Sequence, residues 1–204
     1  MAEAKVQTSI PRQPKPKKMV SLEAYFAAEE KAQDKHEYHH GIVVKMAGGS
    51  FKHNQLAQRS ARLIENFVEE NNLDYLVNNS DTKIRIEAYD KVVYPDAVVI
   101  SEKPLYYAQR KDTIVNPLLI IEVLSKTTED YNRTTKFEYY RSLPSFKEYV
   151  LIHQEDKKVS VYSRQTDETW IVRDYTGVES TAILYAVHNC PLSLDRLYHK
   201  IVQD

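Results

Sequence analysis

The sequence is poor in cysteine and contains no long apolar run. A single cysteine, Cys190, excludes an intrachain disulfide, and nothing in the cysteine usage indicates an oxidising compartment. No segment approaches the roughly 18 apolar residues of a membrane span. The first residues, MAEAKVQTSIPRQPKPKKMV, lack the apolar core of a secretory signal. We therefore expect a cytoplasmic protein with no membrane partner.

A strong net charge and several common catalytic motifs are missing as well. The chain has 28 Lys and Arg against 29 Asp and Glu, so no global basic excess indicates nucleic-acid binding. A neutral total is still compatible with a local basic cleft. With four glycines, the chain contains no P-loop, G-x-G-x-x-G, G-x-S-x-G or C-x-x-C motif. His36 and His40 would share one face of an extended segment, but no zinc-ligand spacing accompanies them.

The remaining composition is that of a globular protein with a polar arm. Hydrophobic residues make up 42% of the chain and charged residues 28%. Residues 1–19 are rich in Pro and Lys and predict a flexible basic N-terminal arm. Residues 20–204 are long enough to bury a core and predict a single domain.

Apolar patterning within that domain predicts a mixture of helices and strands. Helical spacing predicts a long amphipathic helix from about Lys52 to Asn71, and PLLIIEVLS reads as a central strand buried on both faces. TEDYNRTTKFEYYRSL predicts a further helix, and PLSLDRLYHKIV predicts a closing helix that begins at Pro191. The predicted order is α, β, α, β, β, β, β, α, β, β, β, β, α. It indicates an α/β or α+β domain with a mixed sheet and additional C-terminal antiparallel strands.

Two carboxylates lie inside strongly apolar segments. Asp96 lies in VVYPDAVVI, which predicts one continuous strand over residues 92–100, and Glu122 lies in PLLIIEVLS. An ionised carboxylate among apolar residues is costly unless it is paired or binds a metal. Because consecutive strands often lie side by side, we expect the two carboxylates to converge. Such a pair suits Mg²⁺, with Mn²⁺ as a substitute, and a bound cation can activate a water for attack on phosphorus.

Pro95 bears on how Asp96 is presented. A proline has no backbone N–H to give to a ladder, so it can open the strand and let Asp96 face a cleft. An edge strand with an exposed Asp96 accounts for the same residues equally well.

The order of motifs resembles the PD-(D/E)XK nuclease signature and, over a longer range, the Uma-two (Uma2) family of restriction endonucleases. The matching segments are YPDAVVI, NPLLIIEVLSKTTEDYNRTTKFEYYRSLPSFKEYVLI and HEYHHGIVVKMAGGSFKHNQL. The resemblance covers roughly residues 20 to 190. It implies a restriction-endonuclease-like fold with flanking helices, Mg²⁺-dependent hydrolysis of DNA phosphodiesters, and a homodimer where both strands are cut.

The resemblance also implies ligands for the metal. Asp96 and Glu122 would hold Mg²⁺, and the backbone carbonyl of Val123 would help to complete its shell. Glu37 would supply a further acidic ligand from the first part of the chain. A solvated surface position explains Glu37 equally well.

The chain departs from the signature at the lysine. E-x-K requires a lysine where this sequence has Leu124, and Lys136 on the following helix matches a migrated position. Asp130, Arg133 and Lys136 are spaced three apart, which predicts one helical face. On this interpretation Lys136 orients or helps to deprotonate the water and stabilises charge on the phosphate. A solvent-facing lysine is the alternative.

Three further residues have weaker assignments. His53 matches the family pattern and would contact phosphate or a metal ligand, unless it only begins a helix. Ser125 and Lys126 follow the Glu122 strand and would cap a turn or contact phosphate at the cleft mouth. A different class of function stays open too. It is a catalytically inactive nucleic-acid-binding or regulatory protein on the same fold, which the missing E-x-K lysine and the neutral charge favour.

Overall fold

The computed structural model describes residues 19–125 and 129–202, which form two main sheets flanked by helices. The α-helices are α1 (Leu22–Glu29), α2 (Phe51–Glu70), α3 (Phe137–Arg141) and α4 (Leu194–Tyr198). The strands are β1 (His36–His39), β2 (Ile42–Lys45), β3 (Tyr75–Asn79), β4 (Lys83–Ile86), β5 (Lys91–Val93), β6 (Ala97–Ser101), β7 (Thr113–Ile114), β8 (Leu119–Leu124), β9 (Glu148–His153), β10 (Lys158–Arg164), β11 (Trp170–Thr176), β12 (Thr181–Leu184) and β13 (Cys190–Ser193). Of the predicted N-terminal arm, residues 1–18 lie outside the described residues.

Both main sheets are mixed. The six-stranded sheet has the order β11-β10-β9-β8-β6-β3, in which β8 and β9 run parallel and the other pairs antiparallel. The five-stranded sheet has the order β2-β1-β5-β4-β7, with only β4 and β7 parallel. A hairpin of β12 and β13 follows. The predicted mixed α+β class with extra C-terminal antiparallel strands is confirmed.

Strand β8 lies inside the six-stranded sheet, between β9 and β6, and all six of its residues are buried. Ile121 and Val123 point towards α2 and its apolar cluster, whereas Ile120 and Leu124 point towards the other core. Because side chains alternate along a strand, Glu122 lies on the face of Ile120 and Leu124. This face is covered by the five-stranded sheet and α3, so the fold buries the carboxylate between layers.

The expected continuous strand over residues 92–100 was wrong. Strand β5 ends at Val93 in the five-stranded sheet, and β6 begins at Ala97 in the six-stranded sheet. Pro95 and Asp96 lie in the crossing between the sheets, where the missing N–H of proline removes no ladder hydrogen bond. The expected neighbours are confirmed, since β6 pairs with β8 and places Ala97 opposite Ile121.

Two helices differ from the sequence prediction. The segment before α3 is a wide turn of π-helix, Tyr131–Lys136, which the α-helical period does not anticipate. The closing helix begins at Leu194 instead of Pro191, because Pro191 lies in β13 opposite Ile183. Strand β13 pairs with β12 alone among the described strands, so a missing N–H is tolerated there. Within the described residues, we find no helix with the length and apolarity needed to cross a membrane.

Candidate active site

A cleft of about 840 Å³ opens where α2 begins, β8 ends and the chain crosses between the sheets. The residues predicted for the site that line it are Glu37, His53, Asp96, Glu122, Val123, Ser125 and Lys136. Lys126, the remaining predicted contact, lies outside the described residues. The structure therefore brings into one cleft residues that are up to about a hundred positions apart in the chain.

Asp96 is fixed by one hydrogen bond to each carboxylate oxygen. The backbone N–H of Val123 donates to Oδ2 at 2.7 Å, and Nε2 of His53 lies 2.9 Å from Oδ1. In a strand, the N–H and C=O of one residue point to the same side. The Val123 carbonyl therefore points to the side on which Asp96 lies, and metal ligation by this carbonyl stays a prediction.

Gln154 contacts His53 at Nδ1, the ring nitrogen that does not face Asp96. The Gln154 amide accepts from Ser50 through Oε1 and donates from Nε2 to the Leu124 carbonyl at 3.0 Å, which fixes its orientation. The same Nε2 lies 3.5 Å from Nδ1 of His53, so the Nε2–H of His53 is directed at Asp96. Burial alone would lower the pKa of His53, but the hydrogen bond and charge of Asp96 outweigh it and raise that pKa above its usual value.

Lys136 lines the cleft and is buried instead of facing solvent. Its Nζ lies 2.7 Å from Oε1 of Glu122 and donates to the Tyr94 carbonyl at 3.1 Å. The hydroxyl of Tyr140 donates to the same Oε1 at 3.0 Å. Both donors fall on Oε1, so Oε2 is the oxygen of Glu122 to which neither of them points.

The environment of Lys136 keeps its amine protonated. Burial would lower the pKa of Lys136, but Glu122 and then Glu37 outweigh burial and raise that pKa above its ordinary value. A lysine that holds its proton this firmly donates hydrogen bonds and positive charge. These contacts favour a role in charge stabilisation over removal of a proton from water.

Glu37 reaches Lys136 from the five-stranded sheet. Its Oε1 lies 3.7 Å from Nζ of Lys136 and accepts from the Tyr94 N–H at 3.3 Å. Its Oε2 lies 2.9 Å from Nε2 of His39, whose Nδ1 is 2.8 Å from the amine of Lys91. Since an ammonium only donates, Nδ1 of His39 accepts and Nε2–H donates to Glu37. The geometry suits Glu37 to holding Lys136 in place, and metal ligation by Glu37 stays a prediction.

Three buried carboxylates lie close together around this part of the cleft. Glu37, Asp96 and Glu122 face the Lys136 ammonium and the His53 imidazole, and Glu37 also faces the His39–Lys91 pair. Burial raises the pKa of Glu122 to about 7, with Asp96 and Glu37 adding to the rise against the attraction of Lys136. A divalent cation beside Asp96 and Glu122 would offset the repulsion between these two carboxylates.

The donor set fits Mg²⁺. Among the described residues, no group of three or more His, Cys, Asp and Glu is placed to hold a metal ion. Two carboxylates and a backbone carbonyl are the kind of set to which Mg²⁺ binds, because Mg²⁺ keeps several waters and takes further oxygens from a phosphate. The residues present are therefore compatible with the predicted cation.

The predicted shared face of Asp130, Arg133 and Lys136 was wrong. The wide turn breaks the three-residue spacing, so Arg133 points away from Lys136 to the His153 ring and the Tyr162 hydroxyl. Sequence reasoning also missed Tyr140, although its position four residues after Lys136 places both side chains on one helical face. It missed Gln154 too, whose place beside His53 depends on tertiary contacts alone.

Comparison with known proteins gives the family. A model described as "Uma2: Putative restriction endonuclease" matches residues 22–194, and the chain belongs to this family. Two uncharacterized proteins of Synechocystis sp. are similar to it. One, sll1609, is 32% identical over 160 residues, which cover 78% of this chain and 89% of that protein. The other, slr1290, is 33% identical over 167 residues, which cover 81% and 84% respectively.

A solved structure shares the fold. The crystal structure of a putative nuclease belonging to DUF820 from Anabaena variabilis superposes with a TM-score of 0.69 at 14% sequence identity. The match covers 90% of this chain and 99% of that one. At this identity the likeness shows that the two proteins share a fold.

Proposed function

We propose that this protein is a Mg²⁺-dependent endonuclease that hydrolyses phosphodiester bonds in DNA. One observation carries the proposal. Lys136 comes from the helix after β8 and lies 2.7 Å from Glu122, while Asp96 is held against the next residue of the same strand. The site thus contains an acidic pair and a lysine although Leu124 occupies the E-x-K position. Membership of a family described as restriction endonucleases supports the same conclusion.

Asp96, Glu122 and the Val123 carbonyl would hold Mg²⁺. When bound, the cation would supply a water of lowered pKa and positive charge for the phosphate. His53 and the Val123 N–H keep the Asp96 carboxylate oriented, as hydrogen-bonded partners do for metal ligands. Lys136, kept protonated by Glu122 and Glu37, stabilises negative charge that develops on the phosphate oxygens.

The oligomeric state belongs to the same proposal. Cutting both strands of a duplex requires two sites, which a homodimer supplies. Strand β11 ends the six-stranded sheet and exposes Ile171 and Val172, at 40% and 51% of their full accessibility. An exposed edge with apolar side chains is suited to pairing with a second chain. Sedimentation equilibrium of the wild type and of an I171K/V172K variant tests this surface, and we expect only the variant to be monomeric.

Cleavage of supercoiled plasmid in Mg²⁺ or Mn²⁺ tests the activity. We expect nicked and linear products from the wild type and none from D96N, E122Q or K136M. E65Q is the matched control, because Glu65 is exposed on α2 outside the cleft and its removal should leave cleavage unchanged. Metal-independent cleavage, or full activity in D96N and E122Q, would overturn the proposal. Metal binding without cleavage of any DNA would instead support the inactive nucleic-acid-binding alternative.

A further inference from the structure

Tyr131 places an unpaired hydroxyl in the cleft. The ring is partly buried and lines the cleft, and its hydroxyl oxygen is buried with no hydrogen-bond partner among the described residues. Unpaired buried polar atoms are rare in proteins because burial without a partner costs free energy. The other such atoms in the described part of the chain are guanidinium nitrogens: Nε of Arg85, Arg110 and Arg164. Tyr131 is thus the one buried hydroxyl without a partner in that part.

The wide turn before α3 explains how Tyr131 reaches the site. Tyr131 and Lys136 are the first and last residues of this turn, five positions apart. On an α-helix, residues five apart point about 140° away from each other. In a π-helical turn, hydrogen bonds run from residue i to i+5, so these two residues come onto one side. Such turns recur at functional sites, and here the turn directs both side chains into the cleft.

The surroundings make the Tyr131 hydroxyl a donor. Burial raises the pKa of Tyr131 above its ordinary value, and the charge of Glu37 raises it further against the effect of Lys136. The phenol therefore keeps its proton. It is close enough to Glu37 and Glu122 to be influenced by their charges, yet it bonds to neither. The protein leaves this buried donor without a partner at the wall of the cleft, so an acceptor on a ligand that reaches it would satisfy its hydrogen-bonding capacity.

We propose that the Tyr131 hydroxyl donates a hydrogen bond to a non-bridging phosphate oxygen of the nucleic acid bound in the cleft. The inference rests on the proposed function, because that function brings an anionic phosphate to this place. Tyr131 is then a substrate-binding residue beside Lys136. Lys136 supplies a point charge, and Tyr131 supplies a directed neutral donor that selects the position of the phosphate.

Substitution Y131F removes the hydroxyl and keeps the ring. Thymidine 3′,5′-bisphosphate serves as the probe. It supplies phosphate oxygens but has no phosphodiester bond between nucleotides that the enzyme could cleave. Calorimetric titration in Mg²⁺ should show about tenfold weaker binding by Y131F, the usual effect of one hydrogen bond to a charged group. Y139F is the matched control, since Tyr139 lies on α3 and does not line the cleft. The melting temperature of Y131F should equal or exceed that of the wild type, because no protein hydrogen bond is lost.

The outcomes separate this inference from the proposed function. Weaker probe binding by Y131F alone, with a higher KM for plasmid, supports Tyr131 as a phosphate contact. Equal probe affinity in Y131F and the wild type would overturn the proposed contact between Tyr131 and phosphate. If the wild type still cleaves DNA in that case, the proposed nuclease function stands. A wild type that binds no probe and cleaves no DNA overturns both. Probe binding that depends on Tyr131 without any cleavage supports the contact and counts against catalysis.

Discussion

Lys136 Nζ lies 2.7 Å from Glu122 Oε1, and both side chains are almost fully buried. The two residues come from different elements, β8 and the turn that follows it. A buried ion pair is weak support for stability as such, because desolvation offsets much of the attraction. The position of this pair beside Asp96 is instead explained by the proposed function, because it places the positive charge of Lys136 where a substrate phosphate would bind.

Removal of one partner of this pair should cost much more than removal of both charges. K136M leaves Glu122 buried opposite a methyl group, and we expect the free energy of unfolding to fall by about 3–5 kcal/mol. In the double variant E122Q/K136M the Glu122 carboxylate is gone, and Glu37 keeps its contacts with the Tyr94 N–H and His39, so part of that loss should be recovered. Urea unfolding of both single variants and the double variant measures the coupling. Strictly additive losses would show that the pair is not coupled.

His53 should matter for metal affinity through Asp96. H53A removes the donor 2.9 Å from Asp96 Oδ1, and partners of metal ligands typically account for about tenfold or more in affinity. Titration calorimetry with Mg²⁺ should therefore show weaker binding by H53A. H188A is the control, because His188 contacts Tyr75 at an exposed site instead. Equal Mg²⁺ affinity in H53A and the wild type would show that His53 does not support metal binding through Asp96.

Glu148 should give a pH dependence that is independent of the cleft. Its carboxylate is buried and accepts from Ser163 and from the N–H groups of Tyr185 and Ala186. Burial nonetheless raises its pKa above the ordinary value of 4.5. The folded state then binds the proton more readily than the unfolded state, so this group's contribution to stability falls as pH rises from 4.5 through the folded pKa.

Comparison of the wild type with E148Q isolates that contribution. The glutamine does not titrate, so the difference in unfolding free energy, wild type minus E148Q, should decrease as pH rises through this window. Urea unfolding at a series of pH values measures the difference at each point. A difference that stays flat or grows with pH would show that Glu148 does not have a raised pKa in the folded protein.

The acidic pair could be predicted from the sequence because a charged residue is easy to recognise within an apolar strand. Asp96 and Glu122 stand out as carboxylates among buried aliphatic residues, and the neighbouring strand positions follow from chain order. The break at Pro95 was not predictable in this way. The local pattern is equally apolar on both sides of it, and only the pairing partners show that β5 and β6 belong to different sheets.

The supporting residues were harder to predict because their contacts are distant in sequence or depend on an irregular turn. Gln154 lies 101 positions from His53, and nothing local marks it. Tyr131 reaches the cleft through a π-helical turn, whereas the α-helical period would point it elsewhere. Lys136 was found through a family resemblance, since lysines on amphipathic helices usually face solvent. Its burial is decided by the carboxylates it meets in the folded state.

Calorimetric titration of Mg²⁺ into the wild type and into D96N and E122Q tests the central claim most directly. The account predicts one binding site in the wild type, lost or strongly weakened in both variants and retained in the control E65Q. Circular dichroism confirms that the variants are folded. No Mg²⁺ or Mn²⁺ binding by the wild type, with or without DNA, would contradict the account and leave Asp96 and Glu122 as structural residues.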